Sequence, residues 1–202
     1  MGNRAPPELA LAGGVALKRD YLFKLFEEAR RLIGHRDYVI VGSLSILGSQ
    51  DEDGLPLEMS MSNDIDSFAK SDPGRLEDVQ AMLGEGSDFH RANGYFLDPV
   101  SPKLPSLPDG WESRMTRIER DGLCLWFLDP ADAAISKYAR SAPNDRRWIR
   151  AGILAGLVPL EAVRSRIAAT TFLDAEEEER VRRQVDADLA WHATTNDRSN
   201  PP

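Results

Sequence analysis

Apolar residues recur along this chain with two different periods, and the alternation between them predicts its elements. From Val15 to Ile33, the residues Leu17, Tyr21, Leu22, Leu25, Phe26, Ala29, Leu32 and Ile33 fall at helical spacing, with Lys, Arg and Glu elsewhere. That spacing predicts an amphipathic helix closed by Gly34. Tyr38 to Val41 is short, β-branched and bounded by polar residues, so it reads as a buried strand. Gly42 then permits a tight turn, and Ser43 is placed to cap a short helix carrying Leu44, Ile46 and Leu47. Gln50 to Glu58 is an acidic surface loop with Gly54 and Pro56, and a second strand is predicted over Met61 to Phe68. Ser71-Asp72-Pro73 opens a helix whose buried face is Leu76, Val79, Met82 and Leu83, ended by Gly84 and Gly86.

Tyr95 to Leu97 predicts a third strand, stopped by Asp98-Pro99, and Pro99 to Pro108 reads as an irregular crossing loop. Met115 to Arg120 and Leu123 to Phe127 flank Asp121-Gly122, the strongest short hairpin signal in the chain. Asp129 and Pro130 then start a helical region. Its segments are Ala131 to Arg140, Asn144 to Leu154 (Trp148, Ile149, Ile153 and Leu154 inward), Leu160 to Ala168, and a final helix capped by Asp174. The predicted fold class is α/β (α+β): a mixed sheet of about five strands with flanking helices, followed by a C-terminal helical region. The expected organisation is a disordered N-terminus over 1–14, the sheet domain over 15–128, the helical region over 129–192, and a disordered tail over 193–202.

Composition narrows the function classes. With 202 residues and 42% hydrophobic content, one α/β domain with a helical extension can bury a sizeable core. No apolar run reaches the length of a membrane span, and no leader pattern opens the chain, so a cytoplasmic protein is expected. Cys124 is the single cysteine, which excludes an intrachain disulfide. A net charge of −8 argues against holding nucleic acid by bulk electrostatics. The basic residues Lys137, Arg140, Arg146, Arg147 and Arg150 nevertheless concentrate in one helical pair, where a local anion-binding surface is expected.

The candidate chemistry lies between Val39 and Asp66. Asp64 and Asp66 flank Ile65, so on a strand both carboxylates project from one face. Side by side they repel one another unless a cation sits between them, and Mg2+ (or Mn2+) suits oxygen ligands that also meet nucleotide phosphates. Gly42 and Ser43 offer a tight turn at a helix start, a setting that attracts phosphate. Asp98 is the candidate third carboxylate, with a turn cap before Pro99 as its other reading. Lys137 and Arg140, three apart, share one side of their helix; they read either as cations for a triphosphate or as a solvated face paired to Asp132 or Asp145.

At Gly42-Ser43 and Asp64-Ile65-Asp66 the sequence resembles the polymerase-beta-type nucleotidyltransferase superfamily, whose signature is an apolar residue, Gly, Gly or Ser, then a strand bearing Asp-x-Asp. It looks most like the small stand-alone bacterial proteins of that kind, a group that includes toxin halves of toxin–antitoxin and phage-defence pairs. The gap of about twenty residues between the two motifs is longer than usual for that superfamily. The segment from Leu128 to Ile149 is similar to the helical segment these proteins carry after the sheet. The resemblance implies a Mg2+-dependent nucleotidyltransferase. Asp64, Asp66 and Asp98 would be catalytic, with the metal on Asp64 and Asp66, and the nucleotide would be held by Gly42, Ser43, Lys137 and Arg140. The partners it implies are a nucleoside triphosphate, an RNA (tRNA included) or protein acceptor, and an antitoxin protein. The alternative is a catalytically inactive protein of the same fold that binds a nucleotide or a partner protein. A dinucleotide-binding oxidoreductase needs further glycines where Leu44 and Leu47 stand, and is set aside.

Overall fold

The computed structural model describes residues 16–49, 52–103 and 105–199, with side chains described to residue 195. The disorder expected over 1–14 and the start of the first helix at Val15 lie outside these residues, as do Gln50, Asp51 and the final three positions.

Five strands form one sheet: β1 (Asp37–Ile40), β2 (Asp64–Ala69), β3 (Phe96–Pro99), β4 (Thr116–Arg120) and β5 (Leu123–Phe127). Their order is β3-β2-β1-β5-β4. β1 runs antiparallel to β2 and parallel to β5, β3 runs parallel to β2, and β4 closes the hairpin on β5. The hairpin turn is carried by Asp121 and Gly122, both at positive φ (53° and 73°), as a two-residue turn that matches strand twist requires.

The helices are α1 (Arg19–Ile33), α2 (Leu57–Ser60), α3 (Gln80–Leu83), α4 (Asp88–Asn93), α5 (Trp111–Arg114), α6 (Pro130–Arg140), α7 (Pro143–Leu154), α8 (Leu160–Arg166) and α9 (Ala175–Ser199). Because side chains alternate across each strand, the sheet feeds two cores. Tyr38, Ile40, Ile65, Leu97, Leu125 and Phe127 face α1. Val39, Val41 and Phe68 face the other way, onto α6, α7, α8 and α9. Asp64, Asp66 and Asp98 have the parity of Phe68, so their carboxylates open toward the helical region.

Several details differ from the sequence reading. Ser43–Gly48 is a 3-10 helix with Gly42 at its cap position and no side-chain cap. Three residues per turn stack positions i and i+3, which sends Leu44 and Leu47 into the α1 core and Ile46 into the α6 core. The segment after Asp72 is likewise 3-10 over Pro73–Val79 before α3. Tyr21, Leu32, Met82 and Leu154 are exposed at the margins of their helices, while Phe23 is buried. α4 buries no residue, so no apolar stripe announced it. α9 continues to Ser199, past the tail boundary expected at residue 193, because an established helix elongates without needing an apolar face. No helix among the described residues is long and apolar enough to cross a membrane.

Candidate active site

The site is built where β2, β3 and the turn after β1 converge. Asp66 stands level with Asp98 in the parallel register of β2 and β3, with Asp64 two residues before it on the same face. One oxygen from each of the three carboxylates lies within 4.8 Å of the others. Ser62 donates a hydrogen bond to Asp64 Oδ1, which orients that carboxylate.

The electrostatics follow from this crowding. Burial, then the charges of Asp64 and Asp98, push the Asp66 carboxyl up to about 7, despite opposing pulls from Arg140 and Lys137. Burial and Asp64 push Asp98 up as well. Three carboxylates converging on one point suit a hard divalent cation, which would neutralise their repulsion. The triad therefore fits a metal ion.

Gly42 belongs to the same site. Its backbone (φ 64°, ψ −150°) lies in a region essentially reserved for glycine, and a Cβ there would meet Asp66 Oδ2 at 2.0 Å. Ser43 is held from behind by α6 and α7. Lys137 Nζ donates to Ser43 Oγ at 2.9 Å and to Asp145 Oδ1 at 3.2 Å, and Trp148 Nε1 donates to the Ser43 carbonyl at 3.1 Å. Lys137 is 3% exposed, its ammonium lies 4.9 Å from the Trp148 ring centroid, and burial lowers its pKa. Arg140 donates twice to Asp145, at 2.8 and 2.6 Å, with its side chain still 61% exposed.

Of the alternatives for Lys137 and Arg140, both side chains pair with Asp145. Asp132 is taken instead by Arg114 (2.8 Å) and Arg166 (2.8 Å), a buried junction that ties α5 and α8 to the start of α6. The expected single basic surface is divided, because Arg146 and Arg150 sit 3.7 Å from the buried Asp188 of α9, which also accepts from Tyr138. The sequence marks Trp148 only as an inward residue of its helix, and it marks neither Ser62 nor Glu177 as part of a site. Ser62 precedes Asp64 by two positions and could have been found from that spacing, but the other two reach the site only through the fold.

A cavity of about 300 Å3 joins these parts, with Gly42 and Asp66 on the sheet side, Lys137 and Arg140 on α6, and Glu177 on α9. Its size is at the lower end for sites that take a small organic ligand.

A mixed sheet presenting converging carboxylates beside a glycine turn, with a helical region completing the cavity, is the arrangement of a nucleotidyltransferase. The chain belongs to the family described as nucleotidyltransferase of unknown function (DUF6036), whose model matches residues 20–198. Searches of curated proteins and of solved structures give no match.

Proposed function

We propose that the protein transfers a nucleoside monophosphate from a nucleoside triphosphate to a hydroxyl of an RNA, tRNA included, or of a protein, with Mg2+ (or Mn2+) held by Asp64, Asp66 and Asp98. The observation that carries this reading is the carboxylate triad within 4.8 Å, packed against the Gly42 turn at the mouth of a cavity that also holds Lys137 and Arg140. When bound, the cation supplies charge neutralisation for the polyphosphate and for the attacking oxygen. Gly42 lets the backbone approach the phosphates closely, with Ser43 next to it in the same turn. Lys137, spent on Ser43 and Asp145, positions that serine. Arg140, with its exposed side chain, is the cation that meets charge developing on the leaving pyrophosphate. Asp98, level with Asp66 at the end of β3, takes the proton of the acceptor hydroxyl. The acceptor oxygen then bonds to the α-phosphorus as the α–β bridging P–O bond breaks.

The resemblance to toxin-type relatives supports a cytoplasmic toxin paired with an antitoxin protein. One observation favours the inactive alternative: Lys137 and Ser43 bond to each other, which commits both groups within the protein. Incubation with each α-labelled nucleoside triphosphate, Mg2+ and a mixture of cellular RNA and protein separates the two readings. Label on a macromolecule with pyrophosphate release, both absent in Asp66→Asn, supports transfer. Nucleotide binding with no pyrophosphate release decides for the inactive reading.

A further inference from the structure

The cavity assigns part of its wall to the phosphates and cation: Gly42, Asp66, Lys137 and Arg140. What remains must take the nucleoside, and it is aliphatic apart from Ser106, Ser136 and Glu177. An aliphatic slot accepts the flat faces of any base, so discrimination falls to the polar groups that border its edge. Serine hydroxyls donate or accept and tolerate either kind of edge, whereas a carboxylate only accepts.

Glu177 is held in place for such a reading. The Leu173 N–H donates to its Oε2 at 2.9 Å, and Arg180 Nη2 lies 3.4 Å from its Oε1. The same Arg180 nitrogen donates to the carbonyl of Ala139, a cavity residue, at 2.8 Å, so one guanidinium fastens Glu177 to the α6 wall. The side chain is 15% exposed, and these two contacts leave acceptor capacity on both oxygens.

We infer that Glu177 selects the base, so that the site takes a nucleoside triphosphate whose base carries an exocyclic amine and disfavours uridine triphosphate. Adenine, cytosine and guanine each present an amino donor on the Watson–Crick edge, and guanine adds an adjacent ring N–H for a two-point contact. Uracil offers a single ring N–H between two carbonyls, whose lone pairs face those of the carboxylate. This selection rests on the nucleotidyltransferase reading of the cavity.

The test is equilibrium binding of the non-hydrolysable α,β-methylene analogues of ATP, CTP, GTP and UTP, and of tripolyphosphate, each with Mg2+, to the intact protein and to Glu177→Gln. The amine-bearing analogues bind roughly tenfold or more tighter than the UTP analogue, the scale of a hydrogen bond to a charged group. Glu177→Gln keeps an acceptor for Leu173 and adds a donor, so the preference collapses while tripolyphosphate affinity stays unchanged. A UTP analogue that binds the wild-type protein as tightly as the others overturns the inference without any variant, as does a preference that survives Glu177→Gln. Failure of tripolyphosphate and every analogue to bind removes the nucleotidyltransferase reading, and the inference with it.

Discussion

Gly42 and Asp66 are packed so closely that no side chain fits between them: a Cβ at position 42 would stand 2.0 Å from Asp66 Oδ2. The turn after β1 and the carboxylate of β2 therefore form one rigid piece, and the glycine is required both by its φ of 64° and by this contact. Gly42→Ala should displace Asp66, abolish divalent-ion binding and cost about 1–3 kcal/mol in backbone strain alone. Gly34→Ala is the control, since Gly34 also has positive φ (77°) but no heavy atom within 4 Å of a Cβ there. Mn2+ titration and thermal unfolding of both variants should show ion binding lost only in the first.

Asp66→Asn should separate stability from activity. It removes the most strongly perturbed carboxylate of the triad, so the ion-free protein should be more stable than wild type at pH 8. Transfer should be lost with the metal ligand. Urea unfolding without metal, alongside a transfer assay, checks both halves; a destabilised variant would mean that Asp66 is structural.

The pH dependence of the ion-free protein follows from the same group. The folded-state pKa of Asp66 is raised, from an ordinary 3.8 to about 7, so the folded protein binds more protons than the unfolded chain between those values. The stability contributed is fully present below about pH 4 and is lost as pH rises through about 7; over this window it is of the order of a few kcal/mol. Asp98, also raised, acts in the same direction. Unfolding midpoints at pH 5.5 and pH 8 should therefore differ, the lower pH being the more stable for this contribution. Saturating Mg2+ should shrink the difference, because the ion favours the deprotonated form.

Asp145 holds two cations while 1% exposed. Asp145→Ala would leave the Lys137 ammonium buried without its counter-charge, at a cost of about 3–5 kcal/mol. Adding Lys137→Met should recover part of that loss, since the stranded charge is then gone. A double-mutant cycle in urea measures the coupling, and strict additivity would show that the pair is not interacting.

Much of this site could be read from local spacing. The Asp64-x-Asp66 alternation by itself puts two carboxylates on one face of a strand, and Asp121-Gly122 marks a hairpin that forms at that position. Asp98 was legible as an acid at a strand end, but only the parallel register of β2 and β3 sets it level with Asp66. Helical period identified α1, yet it could not say where the buried stripe stops; Tyr21 and Leu32 lie just beyond its edge and Phe23 just within. The bond from Lys137 to Ser43 spans 94 residues, and nothing in either segment's own pattern announces it. Glu177 sat among four consecutive glutamates whose charge suits a helix start, so its place in the cavity wall was invisible until α9 was docked.

The face of the sheet that bears Val39, Val41 and Phe68 is covered chiefly by helices that follow the last strand, as far as Val181 and Val185, with only Ile46 and Met59 added from earlier turns. During synthesis the five strands thus leave the ribosome well before the residues that roof them. For that interval an apolar surface and three mutually repelling acids stand open to water. Burial of this half is completed only by residues as late as Val185, and until they arrive the open apolar face is prone to association.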